Sequence, residues 1–287
     1  GHTPQHWTLP EAPESFYCEL TDRWNITVEF GYARRPPVPK FGYSMVTGTI
    51  PDDLGTCCEH QSEVYLNLGG TRISGTLPPS IANLTGLYVL NLLEMPLITG
   101  TIPSELFSLP HLNEFLLSNS AVTGSIPPIR APSLTWFEMH GNKLLKGHVP
   151  HIEAPFLRWL QMSGCGLNGT LPPHLATLSD LIVLDLSFND LEGDLGPLKY
   201  LVQNLSSVNL HQNPRFAAPL ADFSIFTEAW IIDVAHTSCY GPDPLVNWFA
   251  LPKLIWLDMS YTNMSGEIPL WSYIIHQRKA LQHLDIS

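Results

Sequence analysis

Three groups of residues in this sequence have types and spacings that could support chemistry. Residues 164–169 read Gly-Cys-Gly-Leu-Asn-Gly, which fits the G-x-G-x-x-G turn that holds a dinucleotide pyrophosphate. Residues 57–60 read Cys-Cys-Glu-His, a composition suited to a metal ion. Twelve histidines are scattered along the chain and could serve as acids or bases. Each chemistry requires a further element in a defined place.

Those further elements are missing from the sequence. Leu-Pro-Pro follows residue 169, where a dinucleotide fold needs a helix. No second cluster stands at metal-ligand spacing from residues 57–60, and neither a G-x-S-x-G elbow nor an H-E-x-x-H motif occurs. We therefore predict no catalytic residues, no metal and no cofactor, and a chain that is not an enzyme unless a catalytic domain lies outside this segment.

Composition excludes two further classes of protein. The 287 residues include 14 Lys plus Arg against 26 Asp plus Glu, a net charge of −12, and no basic stripe that could neutralise phosphates. This argues against nucleic acid as a partner. Uninterrupted apolar stretches fall well below the ~18 residues of a membrane span, so no span is expected in this segment. The 44% apolar content is sufficient for a continuous core.

One repeating frame organises nearly the whole chain. Apolar residues recur at positions 1, 4 and 6 of each copy, and a Gly-x-(Ile/Leu/Val)-Pro segment follows in most copies, at intervals of 22 to 27 residues. The copies begin near Glu63 and at Leu87, Leu112, Leu134, Leu157, Leu181, Leu205, Ala229, Leu254 and Leu281. One copy holds only a short strand with one apolar edge and cannot bury that edge alone, so successive copies must stack and share a core.

The pattern L-x-x-L-x-L-x-x-N-x-L-x-G-x-I-P resembles the plant-specific type of the leucine-rich repeat family. The resemblance covers residues 41–287 in about ten copies. It implies an α/β repeat solenoid, that is, a leucine-rich-repeat superhelix whose parallel strands form a concave β-sheet about 4.8 Å from strand to strand, with the Gly-x-Ile-Pro segments on the convex side. Residues 1–40 are expected to form an N-terminal cap. Asn at position 9 is present in some copies and replaced in others.

The frame and the resemblance together account for the five cysteines. Cys165 falls on position 9, and Cys239 falls where other copies carry Leu191, Leu144 or Met264. Both are predicted to be buried free thiols, since copies three apart cannot meet the ~6 Å Cα separation of a disulfide. Families of this type close the cap with a disulfide, which the resemblance places between Cys18 and either Cys57 or Cys58.

Five Asn-x-Ser/Thr sequons favour a glycosylated protein of the secretory pathway, hence extracellular or on the cell surface. We expect most of these asparagines to carry N-glycans and none of the glycans to project from the concave strands. The sequons are at Asn25, Asn83, Asn168, Asn204 and Asn263.

The outward positions of the predicted concave sheet are the candidate ligand-binding residues. They combine aromatic rings with carboxylates and amides, a mixture suited to a peptide or a sugar. Leu-Asp-Leu-Ser is also the usual strand sequence of the family, so its aspartates have a structural interpretation as well. The expected site consists of Trp136, Glu138, Trp159 and Gln161, with Asp233, Trp256 and Asp258 as a second group.

The resemblance to plant receptor ectodomains and polygalacturonase-inhibiting proteins predicts a secreted or cell-surface recognition module. Its ligand would be a protein, a peptide or a polysaccharide, bound on the concave face without catalysis. The alternative is a structural subunit of an extracellular wall or filament. This alternative rests on the low charge and on a sequence that stops inside a strand without a capping unit, so that the polypeptide is expected to continue or to associate laterally or end to end.

Overall fold

The computed structural model describes residues 18–19, 27–28, 47–56, 64–201, 203–242, 251–265 and 281–287. In the cap segment it places an antiparallel pair, β1 (Cys18–Glu19) with β2 (Thr27–Val28). The predictions that concern Cys57, Cys58 and Asn25 lie outside the described residues. The cap disulfide therefore stays a prediction.

Ten parallel strands, one from each copy of the frame, form a single sheet in strict chain order. Positions 4 and 6 of each copy point into the core, while positions 3 and 5 point outward, because side chains alternate across a strand. This is the concave sheet that the frame predicted. Its strands are β4 (Val64–Asn67), β6 (Leu87–Asn91), β8 (Glu114–Leu116), β10 (Trp136–Glu138), β12 (Trp159–Gln161), β14 (Val183–Asp185), β16 (Ser207–Asn209), β18 (Ile231–Asp233), β20 (Trp256–Asp258) and β22 (His283–Asp285).

The segments around Gly-x-Ile-Pro also pair as parallel strands, which the sequence pattern did not predict. Two four-stranded sheets and one two-stranded sheet result. The paired glycines have positive φ, for example +94° at Gly75 and +78° at Gly100, so only glycine fits there without strain. The strands are β3 (Thr47–Thr49), β5 (Arg72–Thr76), β7 (Ile98–Gly100) and β9 (Ala121–Val122); β11 (Gly147–His148), β13 (Leu167–Thr170), β15 (Asp190–Gly193) and β17 (Arg215–Phe216); and β19 (Tyr240–Pro242) with β21 (Asn263–Ser265).

Short 3₁₀ helices return the chain from these strands to the concave sheet. Four of them follow a proline, whose fixed φ suits the first turn of a helix. Within the residues that the structure describes, none of these helices exceeds six residues. They are η1 (Leu54–Thr56), η2 (Pro79–Asn83), η3 (Ser104–Ser108), η4 (Pro173–Thr177), η5 (Gly196–Tyr200) and η6 (Leu220–Ile225).

The core runs the length of the described repeats as one cluster built from frame positions 1, 4 and 6. From Leu87 to Ile232 these positions are fully shielded from solvent. Phe107, Phe115 and Phe137 add a compact aromatic group in which the Phe115 and Phe137 rings stack at 5.3 Å. Burial of this apolar edge between copies is the main stabilisation of the solenoid.

Buried asparagines at position 9 join consecutive copies. Asn189 donates to the carbonyls of Met162 and Leu186 and accepts the amides of Cys165 and Leu167, all at 2.9 to 3.0 Å. Asn142 and Asn213 likewise donate to carbonyls of their own and the preceding copy, and each accepts one backbone amide, from Ser120 and Leu191 respectively. This ladder satisfies backbone groups that would otherwise be buried without partners.

Cys165 and Cys239 are free and fully buried, as predicted. Burial raises the pKa of the Cys165 thiol to about 12, which makes it inert as a nucleophile. One detail of the frame was wrong: Leu145, and not Leu144, occupies the buried position equivalent to Cys239 in its copy, and Leu144 is 53% exposed. The cause is one extra residue between Asn142 and Gly147 compared with the span from Asn189 to Gly193.

Candidate functional site

The outward residues of the central concave strands meet across the sheet as the frame predicted. Trp136 is the direct partner of Trp159, and Glu138 is the partner of Gln161. The two indole rings lie 5.3 Å apart with 31° between their planes. We call Trp136, Glu138, Trp159 and Gln161 the first patch. Its rings form a continuous, half-exposed aromatic shelf at the middle of the sheet.

Glu138 is the polar centre of the first patch. One of its oxygens accepts the Trp136 indole N–H at 3.2 Å, and the other accepts the Ser118 hydroxyl at 3.3 Å. The latter oxygen is also 3.1 Å from Nδ1 of His140. The Glu138 side chain is 12% exposed, so its charge is held by these three neighbours.

The imidazole of His140 responds to this carboxylate. The hydrogen bond with Glu138 raises the pKa of His140 above its ordinary value of 6.5, against an opposing effect of desolvation. Raising a histidine pKa means that the folded state binds the proton more tightly than the unfolded state. The stabilisation from the pair is therefore complete below the unfolded pKa and is lost as the pH rises through the folded pKa.

We predict that Glu138→Gln lowers the pKa of His140, because the variant keeps a hydrogen-bonding oxygen and loses the charge. NMR titration of the histidine Cε1 protons measures it directly. Glu153→Gln is the matched control, since Glu153 pairs with His151 and not with His140. An unchanged His140 pKa in the Glu138 variant would show that the carboxylate does not hold this proton.

The second patch, Asp233, Trp256 and Asp258, lies on β18 and β20, three and four strands beyond β12. Asp233 and Asp258 are direct partners, as expected from the frame. Burial, assisted by the charge of Asp258, raises the pKa of Asp233, while the Ala235 amide and His211 act in the opposite direction. The ring of Trp256 is 40% exposed and stacks on His283 with 12° between the planes.

The aspartates of the second patch also have the structural role that the sequence left open. In seven copies the Asp or Asn at position 5 accepts the backbone N–H two residues later, an Asx turn that ends the strand. Asp233 and Asp258 bond Ala235 and Ser260 in this way. The Oδ1 atom of each aspartate accepts the hydrogen bond of the turn, and the second oxygen of each carboxylate is not needed for it.

Three consecutive copies depart from this rule: the two copies that carry the first patch and the copy that precedes them. Leu116, Glu138 and Gln161 stand at position 5, where an Asx side chain would close the turn. Leu116 cannot accept a hydrogen bond, and Glu138 uses its oxygens for Trp136, Ser118 and His140 instead. The fold gives up a local stabilising contact in the two copies that carry the paired tryptophans and in the copy beside them.

Sequence reasoning considered positions 3 and 5 and missed the turn at positions 7 and 8. Phe188, His211, His236 and Tyr261 extend from this turn along the edge of the concave sheet. The signal was available in the sequence: aromatic residues stand at position 8 of several copies, where others have glycine.

The described sequons all lie away from the concave strands. Asn168 and Asn263 belong to β13 and β21, Asn83 ends η2, and Asn204 precedes β16. Glycosylation of these residues remains a prediction, but their positions would leave the concave face uncovered.

The described part of the chain contains no group of three or more His, Cys, Asp or Glu that could hold a metal ion. Within the same ranges, no helix has the length and apolar character that crossing a membrane requires.

Comparisons with known proteins agree with the fold. The family model described as Leucine Rich Repeat matches residues 64–84 and 156–178. Receptor-like protein kinase 7 of Arabidopsis thaliana is 32% identical over 112 residues, which cover 30% of this chain and 11% of that protein. Receptor-like protein 32 of the same plant is 26% identical over 259 residues, covering 78% of this chain and 27% of that protein.

A solved structure shows the same architecture. The Arabidopsis receptor kinase HAESA, in complex with the peptide hormone IDA and the co-receptor SERK1, superimposes with a TM-score of 0.71 at 24% identity, covering 84% of this chain and 40% of HAESA. The resemblance to the leucine-rich repeat family and to plant receptor ectodomains is thereby confirmed. The chain spans about a quarter or less of the length of the curated relatives that it matches.

Proposed function

We propose that this chain is a non-catalytic recognition module that binds a peptide or protein ligand outside the cell through its concave face, centred on the first patch. The observation that carries the proposal is the change at position 5 in three consecutive copies, where the turn-closing Asx residue is replaced and two tryptophans are paired beside it. Exchange of a stabilising contact for an exposed aromatic surface is typical of a site under functional selection.

The chemistry of the first patch suits a peptide. Large aromatic rings provide most of the binding energy in interfaces, and here they flank a carboxylate and an amide that can bond backbone or side-chain groups. HAESA holds a peptide hormone on a solenoid of the same fold, which supports a peptide as the ligand class here. The relatives' receptor names support a position outside the cell.

The proposal is tested by selecting ligands from a phage-displayed peptide library on the full purified chain. Trp159→Ala should weaken the selected peptides by about 30-fold, which corresponds to about 2 kcal/mol for a buried aromatic anchor. Isothermal titration calorimetry measures the change. Trp159 is only partly buried, so the melting temperature should be nearly unchanged.

Trp230→Ala is the matched control. Trp230 is 53% exposed but stands at frame position 2, outside the concave face, and its loss should leave binding intact. Equal affinity of the Trp159 variant and the unaltered chain would place recognition elsewhere. Selection of no peptide, with binding on an oligosaccharide array, would replace the peptide by a glycan.

A further inference from the structure

The turn that follows each concave strand passes through a left-handed residue at frame position 8. Gly70, Gly141 and Gly164 fill this position in three copies with φ between +63° and +74°. Six other copies hold a residue with a side chain in the same conformation: Glu94, Asn119, Phe188, Gln212, His236 and Tyr261, with φ between +52° and +57°. A left-handed conformation costs an L-residue about 1–2 kcal/mol.

Three of these positions hold large rings, and two of the three rings are mostly exposed. Phe188 is 58% exposed and Tyr261 is 66% exposed, so their packing does not offset the cost of the conformation. Glycine would serve the same turn, as it does at Gly141 and Gly164. Phe188 and Tyr261 thus carry exposed rings in a backbone conformation that glycine adopts at lower cost.

The rings form one continuous line across four consecutive copies. Phe188 contacts His211 at 5.0 Å, His211 contacts His236 at 5.4 Å, and His236 stacks on Tyr261 at 4.3 Å with 12° between the planes. His211 belongs to position 7 and bridges the copy in which Gln212 holds position 8. We call these four residues the aromatic row. Such a line offers ring faces to an extended partner over about 15 Å, given ~4.8 Å per strand.

A line of carboxylates runs parallel to the aromatic row. Asp185, Asp233, Asp258 and Asp285 occupy position 5 in four of the five last copies, with Asn209 in the fifth. The outward positions 3, 5, 7 and 8 of the copies from Glu63 onward contain no Lys or Arg. This half of the concave face is therefore negatively charged and lined by aromatic rings, so its charge complement is cationic.

We propose that the aromatic row and the adjacent aspartates bind arginine side chains of an extended peptide segment. A guanidinium group is planar and can stack on Tyr261 or His236 while its N–H groups reach the carboxylate oxygens of Asp233 and Asp258 that the turns do not use. Lysine offers neither the flat stacking surface nor the forked donors. The inference rests on the proposed function, since it specifies the ligand chemistry of the same concave face.

The probe is a synthetic pentapeptide, acetyl-Gly-Arg-Gly-Arg-Gly-amide, with lysine and citrulline versions as comparisons. Binding to the full chain is measured by calorimetry at pH 8 and low ionic strength, where attraction between charges is least screened. We expect the arginine peptide to bind at least fivefold more tightly than the lysine peptide and the citrulline peptide not to bind. Equal binding of the arginine and citrulline peptides would overturn the proposal.

Two substitutions separate binding from folding. Tyr261→Gly removes a ring and relieves the left-handed strain, so the arginine peptide should lose at least tenfold in affinity while the melting temperature does not fall. Gln212→Gly is the matched control: it makes the same backbone change at the same frame position without removing a ring, and it should keep full affinity. Equal affinity of both variants would exclude the aromatic row.

Asp258→Asn tests the charge. Asn209 closes the same turn two copies earlier, so the variant keeps the turn and loses only the carboxylate. It should weaken the arginine peptide and leave the citrulline peptide unaffected. If library-selected peptides depend on Trp159 while the arginine peptide fails to bind, this inference alone is wrong. If the arginine peptide binds and depends on Tyr261 while no peptide depends on Trp159, the first patch is wrong instead.

Discussion

Replacing Asn189 by alanine is expected to destabilise the chain by about 3–5 kcal/mol, since each buried group left without a partner costs about 1–3 kcal/mol. Its side-chain amide donates to the carbonyls of Met162, Leu186 and Ser187, and its oxygen accepts the amides of Cys165 and Leu167. Alanine can replace none of these contacts.

Urea denaturation measures the loss, and hydrogen exchange localises it. The amides of Cys165 and Leu167 should exchange faster in the variant, because Asn189 is their acceptor. Cys165→Ala is the control at the same frame position in the preceding copy, where the thiol bonds the Met139 carbonyl. It should cost about 1 kcal/mol, as expected for a small core truncation. Similar losses in the two variants would contradict the special role of the asparagine ladder.

The concave sheet could be predicted because its rule is local and repeated. The buried positions of one copy are marked by Leu181, Leu184 and Leu186. The same spacing in the other copies fixes the register of neighbouring strands. One added residue between Asn142 and Gly147 was enough to shift the buried position from Leu144 to Leu145. The spacing of the repeat alone does not show that the turn accommodates an extra residue.

The second sheets could not be predicted from the same rule. Their strands are two to five residues long and contain glycines of positive φ, which by propensity argue against a strand. They pair because the concave sheet already holds the copies one strand spacing apart, which brings Gly75 beside Ile98 and Gly100 beside Val122. The pairing is a consequence of stacking and has no strong signal within one copy.

The candidate site, like the fold, could be predicted only in part from the sequence. Adjacency of Trp136 with Trp159 follows from the frame alone, as does adjacency of Asp233 with Asp258. The bonds of Glu138 to Ser118 and Trp136 depend on side-chain torsions, which the frame does not specify. Asp258 closes the turn with one oxygen and presents its carboxylate on the outer face. The sequence alone could not separate these two roles, because both call for the same residue type.

Replacing Phe137 by alanine is the second change with a large expected effect, about 3–5 kcal/mol for deletion of a fully buried ring. Phe137 lies between Trp136 and Glu138 on β10, with its side chain on the opposite face of the strand. Its ring contacts Phe107 and stacks on Phe115. The cavity would therefore open directly beneath the first patch, and chemical denaturation measures the loss of stability.

The same variant links the core to recognition, provided that binding is measured where the variant is fully folded. Without the ring beneath it, β10 can shift, and the paired geometry of Trp136 and Trp159 should loosen, so that ligands selected on the first patch bind more weakly. Phe223→Ala is the matched control, because Phe223 is equally buried but lies in η6, far along the solenoid. It should cost similar stability and leave those ligands unaffected. Equal binding by the two variants would mean that the aromatic shelf keeps its geometry without support from the phenylalanine core.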